Sequence, residues 1–395
     1  MKKSLIALGF GTLGLGIAEF VMMAILPYVA KELHISIPTA GHLISAYALG
    51  VCAGAPMLTL ARKLPLKNIL LGLVTIMMIG NICAALSPHY WFMIGARFIS
   101  GLPHGAYFGV ASIVAEKLAD KGKGSEAVSI MIAGMTIANL FGVPLGTSLS
   151  TLLSWRLTFL LVGIWGVIVL YFIWKWVPQV EGLPDTGFKG QFHFLKTTAP
   201  WLILGATMFG NGSVFCWYSY INPLLTHVSG FSANSITLLM ILAGGGMVVG
   251  NLLGGRLADK YTPGRVAAVT QITIGFALLS IFFAARIDWL TALLMFLCTM
   301  GLFAVSSPLQ VSILHFAKGG ELLGAACIQV AFNLGNALGA TLGALPLKAG
   351  LGYQYPALIG VPFAFLGCIL LIVFSRKYET KSYKRLKTLS SDKAK

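Results

Sequence analysis

Ser4-Leu-Ile-Ala-Leu-Gly-Phe-Gly-Thr-Leu-Gly-Leu-Gly-Ile-Ala-Glu19-Phe-Val-Met-Met-Ala-Ile-Leu-Pro27-Tyr-Val-Ala30 is an apolar run that contains one carboxylate, Glu19. About 20 apolar residues cross a bilayer as a helix, so this run predicts a membrane span. A carboxylate near the middle of such a span costs on the order of 2.5–3.5 kcal/mol. Side chains at that depth face a water-filled cavity or a partner, which makes Glu19 either a functional site or one half of a buried ion pair.

The rest of the chain agrees with the class of its first stretch. Of 395 residues, 57% are hydrophobic and 10% charged, against about 25% charged in soluble domains. The alternating strands of a membrane barrel are absent, so a polytopic helical protein is expected. Met1-Lys2-Lys3 ahead of an apolar run imitates a secretory leader, but the run continues to about Tyr28 and reads as an uncleaved first span. Cys52, Cys83, Cys216, Cys298, Cys327 and Cys368 lie in apolar runs without CxxC spacing. They read as small hydrophobes rather than disulfides or metal ligands.

Polar and Gly/Pro breaks divide the chain into twelve spans, at 4–28, 39–61, 66–87, 91–115, 126–151, 156–177, 200–223, 233–257, 265–285, 289–314, 322–347 and 352–374. The polar loop after span 6 splits them six and six. The expected domains are bundles at 1–180 and 200–376, a linker at 181–199 and a basic tail at 377–395. Lys and Arg concentrate in every second loop and in both terminal segments. The opposite loops hold only Lys31, Arg156, Arg286 and Lys348. By the positive-inside bias both termini are cytoplasmic, and the net charge of +16 needs no nucleic acid to explain it.

The halves repeat weakly. Ala138-Asn139-Leu140 in span 5 has its counterpart in Phe332-Asn333-Leu334 of span 11, and the loop after span 2 matches the loop after span 8. Matching features in two six-span halves suggest a duplicated unit whose solute site lies between the halves.

The loop after span 8 reads Gly255-Arg-Leu-Ala-Asp259-Lys260-Tyr-Thr-Pro-Gly264-Arg265. It resembles the signature loop of the major facilitator superfamily. The loop after span 2 has Arg62, Lys63 and Lys67 but no such Asp. Arg97-Phe-Ile-Ser-Gly101-Leu-Pro103-His104-Gly105 resembles the fourth-span motif of the same superfamily. Its Arg97, Gly101 and His104 share one helix face. Gly142-Val-Pro144-Leu-Gly146 resembles the fifth-span motif of the drug:proton antiporter branch, although Val143 stands where that motif usually has Gly. Trp155-Arg156-Leu-Thr-Phe159 resembles the Trp-Arg-x-x-Phe signature of the twelve-span antiporters. Together with Gly16-Ile-Ala-Glu19-Phe20 and Lys318-Gly-Gly-Glu321-Leu-Leu-Gly324, these stretches make the chain similar to bacterial arabinose-efflux-type sugar and drug permeases.

The resemblance implies an all-α membrane protein, twelve transmembrane helices in two pseudo-symmetric bundles, working by alternating access in a bacterial inner membrane. It also implies a cavity lined mainly by spans 1, 4, 7 and 10. The substrate-cavity candidates are Tyr107, Asn139, Asn211, Trp217, Tyr218, Tyr220, Asn222, Gln310, Gln329, Asn333 and Asn336. Each aromatic among them also fits plain packing. Gating candidates are Arg62, Lys63, Lys67, Gly142, Pro144, Gly146, Asp259, Lys260 and Arg265.

Glu19, Arg97 and His104 are the proton-coupling candidates. Histidine ordinarily exchanges protons near neutral pH, while a structural hydrogen bond suits His104 equally. Counted from their helix ends, Glu19 and Arg97 differ in depth by only about 5 Å, so Arg97 is a candidate cation for Glu19. No Walker loop, nucleotide fingerprint, HExxH or hydrolase triad occurs. An enzyme is not expected, nor a cofactor or metal. The expected protein is a monomer whose partners are a small organic solute, protons and the bilayer. Its expected function is proton-coupled efflux. Uptake symport or facilitation on the same fold, and a sensor that carries no flux, are the alternatives.

Overall fold

The computed structural model describes residues 2–35, 37–40, 42–120, 123–182, 187–232 and 235–379. The described residues form helices and turns with no strand. Among the described residues, ten helices are long and apolar enough to cross a membrane. The two remaining spans are shorter or more polar. Span 2 is His42–Met57, with a tight turn Leu58–Ala61 where the expected helix would have continued. Span 7, Thr198–Tyr218, carries Asn211, Trp217 and Tyr218.

Spans 1, 3, 4 and 6 are the single helices Lys2–Glu32, Leu66–Ala85, Tyr90–Lys117 and Trp155–Trp176. Spans 8, 9, 11 and 12 are Ile236–Lys260, Pro263–Ala284, Glu321–Lys348 and Tyr355–Phe374. Among the described residues, spans 5, 7 and 10 are interrupted, and continuous hydropathy does not reveal it. Span 5 runs Gly124–Ile137, opens into a π turn at Ala138–Gly142 and resumes as Val143–Leu152. Pro144 has no N–H to give the carbonyl one turn earlier, and the ladder widens just before it. Span 7 stops at Tyr218, ahead of Pro223, for the same reason. Span 10 breaks at Val305, between Asp288–Ala304 and Ser306–Phe316.

The helices pair in a pattern that repeats. Span 1 packs on span 5, span 2 on span 4 and span 3 on span 6; span 7 packs on span 11, span 8 on span 10 and span 9 on span 12. This is the two-bundle pseudo-symmetry that the weak repeat predicts. The bundles meet where span 5 lies on span 8 and where span 11 lies on spans 2 and 4.

Lipid tails are as apolar as Leu, so close van der Waals packing holds such helices together. Spans 2 and 4 show how close. A Cβ on Gly54 would lie 1.8 Å from the Leu102 carbonyl oxygen, and one on Gly101 would lie 2.2 Å from that of Tyr47. Only a residue without a side chain fits either place.

Each end of the bundle is tied by polar contacts. At the end carrying the basic loops, Lys67 Nζ donates to the Trp174 carbonyl at 2.7 Å and Ser4 Oγ to that of Trp176 at 2.7 Å. At the other end Arg156 is a hub. It donates to Glu32 Oε1 at 2.8 Å and to the carbonyls of Ala85 and Ser87 at 2.9 and 2.6 Å. Its guanidinium lies over the Trp155 ring, 4.4 Å from the centroid. Trp155 itself is buried, so the pair anchors span 6 within the protein rather than at a lipid interface.

Candidate functional site

Glu19 is buried, at 6% exposure, and borders a cavity between the two bundles. The cavity holds about 460 Å³ not filled by atoms, part of it continuous with solvent. From the first bundle it is bordered by Glu19, Phe20, Phe108, Ile132 and Met135. From the second it is bordered by four amide side chains, Asn211, Gln329, Asn333 and Asn336, together with Ser306 and apolar residues that include Phe215, Phe303 and Phe332. Phe20 and Phe215 face each other across it, with ring centroids 6.4 Å apart.

Behind Glu19 lies a buried polar cluster. Glu19 Oε2 is 3.8 Å from His104 Nε2, and among the described residues neither atom has a hydrogen-bond partner. The imidazole is held on its other side. His104 Nδ1 is 2.8 Å from Tyr47 Oη, and the ring stacks on Phe108 with centroids 5.0 Å apart. Arg97 is fully buried beneath. Its Nη1 donates to the Ala18 carbonyl at 2.7 Å and its Nε to that of Leu43 at 3.4 Å. Its guanidinium lies 4.4 Å from the Tyr47 ring centroid and 5.5 Å from that of Phe159.

The expected cation for Glu19 is therefore not its direct partner. Arg97 makes no ion pair with Glu19 within 4.0 Å. It satisfies the carbonyls of Ala18 and Leu43 and two aromatic faces, which delocalised guanidinium does well. Among the described residues His104 is the basic group within 4.0 Å of the carboxylate. Tyr47, which closes the cluster, carries no sequence signal, since a tyrosine in an apolar span reads as packing.

The amides form the opposite wall. Asn211 Nδ2 donates to the Phe332 carbonyl at 3.0 Å and to Asn336 Oδ1, while Asn333 Nδ2 donates to the Gln329 carbonyl at 3.0 Å. Gln329 also packs beside Gly105 of span 4, which brings the fourth-span motif against the second bundle.

Several cavity candidates lie elsewhere. Tyr107 is buried and donates to the Leu8 carbonyl at 3.0 Å, tying span 4 to span 1. Gln310 gives its Nε2 to the Ala325 carbonyl at 3.1 Å, tying span 10 to span 11. Tyr220 donates to the Ala340 carbonyl at 2.7 Å. Trp217 is fully buried, and Tyr218 packs against Phe215 with ring centroids 6.0 Å apart. Asn139 bonds the Met135 carbonyl within span 5, in the π turn beneath Gly244. None of these six borders the cavity. The side chain of Asn222 lies outside the described residues. Phe20, Phe108 and Phe332, which do border it, are not among the cavity candidates. Phe108 lies one turn from His104, and that helical spacing was the available signal.

The gating candidates divide as well. Asp259 Oδ2 accepts from the Glu126 N–H at 3.1 Å, so span 8 caps the start of span 5 across the bundle boundary. Deeper along the same boundary Ser129 Oγ donates to the Asn251 carbonyl and Asn251 Nδ2 to the Ser129 carbonyl, both at 2.9 Å. Gly142 and Gly146, flanking Pro144, lie against Ile17 and Val21 on either side of Glu19 in span 1. Lys67 binds the end of span 6 within its own bundle. Lys63, Lys260 and Arg265 are exposed and Arg62 is half-buried, and Lys260 lies over the Tyr261 ring at 5.5 Å.

Two pseudo-symmetric six-helix bundles around a central cavity of phenyl rings, amides and one carboxylate define a membrane solute transporter rather than an enzyme. Residues 8–326 match the Major Facilitator Superfamily, and the chain belongs to that family. It is 48% identical over 377 residues to AraJ of Escherichia coli K12, named as a transporter, covering 95% of this chain and 96% of that one. It is 35% identical to the E. coli K12 inner membrane transport protein YdhP, over 94% of this chain and 96% of that one. A protein of Helicobacter pylori 26695, named as a sugar efflux transporter, is 28% identical over 93% of this chain and 92% of its own length. Among solved structures, the E. coli fucose:proton symporter FucP has a TM-score of 0.71 at 16% identity, over 94% of this chain and 98% of that one. The human organic anion transporter MFSD10 has a TM-score of 0.71 at 14% identity, over 94% and 99%.

Proposed function

We propose that this chain is a proton-coupled efflux transporter of a bacterial inner membrane, with both termini in the cytoplasm and a sugar-like or drug-like solute as cargo. The reading is carried by one observation: a buried carboxylate, Glu19, borders the cavity between the bundles with its Oε2 lacking any hydrogen-bond partner among the described residues. A charge held there without compensation is expensive. A proton on Glu19 removes that expense and permits the cavity to occlude; losing the proton to the other side resets the cycle. The bundles at 1–180 and 200–376 rock about the seam of span 5 on span 8, and the Asp259 and Asn251 contacts open and re-form in each cycle.

The amide wall with its phenyl rings suits a neutral solute that offers hydroxyls and an apolar face. Sugar efflux transporters among the relatives support the sugar-like class. The basic loops on the face that carries both termini support the orientation.

The test is transport in proteoliposomes with an imposed pH gradient. Solute movement against its own gradient, driven by opposite proton flow, is expected for the wild type and lost in Glu19→Gln, while solute exchange without a gradient survives. Gradient-driven transport that continues unchanged in Glu19→Gln would refute the assignment. Accumulation driven by protons moving in the same direction as the solute would make the protein an uptake symporter.

A further inference from the structure

The hydroxyl of Tyr47 lies between two groups that can each use its proton. His104 Nδ1 is 2.8 Å away and the Leu15 carbonyl oxygen is 3.5 Å away. Both Tyr47 and His104 are buried to within 1% of complete enclosure, so no bulk water competes for these contacts. On the far side of the imidazole, Nε2 and Glu19 Oε2 face each other at 3.8 Å, each without a hydrogen-bond partner among the described residues. Closing that gap by about 1 Å would bring the two atoms within hydrogen-bond distance.

A neutral imidazole donates from one nitrogen and accepts at the other. If Glu19 carries a proton, its O–H donates to Nε2. His104 then holds its own proton on Nδ1 and gives it to the Tyr47 oxygen, and the Tyr47 hydroxyl turns to the Leu15 carbonyl. If Glu19 is ionised, a bare Nε2 would place a lone pair against a carboxylate. The favourable arrangement reverses every bond: Nε2–H donates to Glu19, Nδ1 accepts from Tyr47, and the Leu15 carbonyl loses its side-chain donor. The two states differ by one proton, which leaves to the cavity that Glu19 borders. Imidazole and phenol each keep one proton in both states.

We propose that Tyr47 is the positioning residue that follows the tautomer of His104 and so converts the protonation state of Glu19 into a hydrogen-bond change shared by spans 1, 2 and 4. The inference rests on the reading of Glu19 as the proton carrier. Its consequence for transport follows from where Tyr47 sits. Its backbone carbonyl fills the notch left by Gly101 of span 4, its helix packs on span 11 of the other bundle, and its ring carries the Arg97 guanidinium. A change of partner at Tyr47 is thus delivered to one of the two seams between the bundles. The other charged group facing the cluster is Arg97 of span 4; among the described residues, no partner of Tyr47, His104 or Glu19 is an ionisable side chain of spans 5, 6 or 7.

The experiment follows His104 directly. The protein is labelled with 15N-histidine in lipid vesicles, and the His104 signal is assigned by its absence in His104→Gln. In the wild type the expected spectrum changes from Nδ1–H to Nε2–H as Glu19 loses its proton on raising pH. In Tyr47→Phe the tautomer still follows Glu19, but Nδ1 lacks its partner in both states, and the pH at which the tautomer changes is expected to shift. Proton-driven transport should then fall about five- to tenfold, the equilibrium equivalent of one hydrogen bond, while solute exchange is retained. A wild-type His104 that keeps one tautomer across the pH range overturns the proposal whether or not Tyr47→Phe folds. So does a Tyr47→Phe protein with the wild-type pH dependence of both the His104 tautomer and transport, or a pH-dependent change of the His104 tautomer that persists in Glu19→Gln. Failure of the underlying reading shows separately, as proton-driven transport that survives Glu19→Gln.

Discussion

The two bundles share a helix-pairing pattern and differ in what they bury. The first encloses Glu19, Arg97, His104 and Tyr47 in one cluster. At the matching depth the second presents Asn211, Gln329, Asn333 and Asn336, and among the described residues the only buried acidic, basic or histidine side chain in that half is Glu379, after span 12. Ionisable groups change charge with proton flow; amides do not, but they offer both donors and acceptors to a solute. On the proposed function, side-chain chemistry divides the two related halves into one that holds the proton and one that holds the polar solute. The cavity brings the two within reach of each other.

Substitutions can break that division or sharpen it. The largest effect is expected from Glu19→Gln, which should lower proton-driven transport by on the order of 100-fold or more in vesicles, with solute affinity close to wild type. A large loss of affinity instead would mean that the carboxylate belongs to the solute site. Asn211→Ala removes a donor to both the Phe332 carbonyl and Asn336. It should weaken solute binding about tenfold, as expected for one or two hydrogen bonds, and leave the pH profile of transport in place. A shifted pH profile would erase the distinction between the halves.

Two smaller effects concern the seam between them. Asn251→Ala deletes one of two reciprocal bonds to Ser129. About 1 kcal/mol should move the population roughly fivefold toward the state in which spans 5 and 8 separate at the basic face, read as a longer distance between spin labels on those spans. Asp259→Asn retains an acceptor for the Glu126 N–H but loses the charge at the start of span 5. A change of only about 0.3–1 kcal/mol is expected, visible in the same distance distribution and fading with added salt.

The parts that could be read from residue order were those that depend on summed properties. The spans, the pairing of halves and the isolation of Glu19 follow from hydropathy and composition along the chain. His104 was also legible, because helical spacing set it on the face of Arg97. The partners of these groups were not. Arg97 was expected to bind the carboxylate, but its long side chain instead reaches the carbonyls of Ala18 and Leu43. Tyr107, Gln310 and Tyr220 were expected at the cavity and instead tie neighbouring helices together. In a soluble helix the polar face announces which side is wet. In a membrane both lipid and protein interior are apolar, so the rotation of each helix about its axis leaves little trace in the order of residues.

That separates what each source of information decided. The sequence by itself determined an all-helical membrane protein of two related halves, the family it resembles and the single carboxylate in its first span, because the energy of burying a residue in lipid depends on residue type summed over a span. The tertiary structure alone decided that Glu19 meets His104 rather than Arg97, that Tyr47 stands behind His104, and that four amides face them across the cavity. Those contacts depend on how each helix is rotated and how closely glycines let it approach its neighbour, and only the packed bundle sets both.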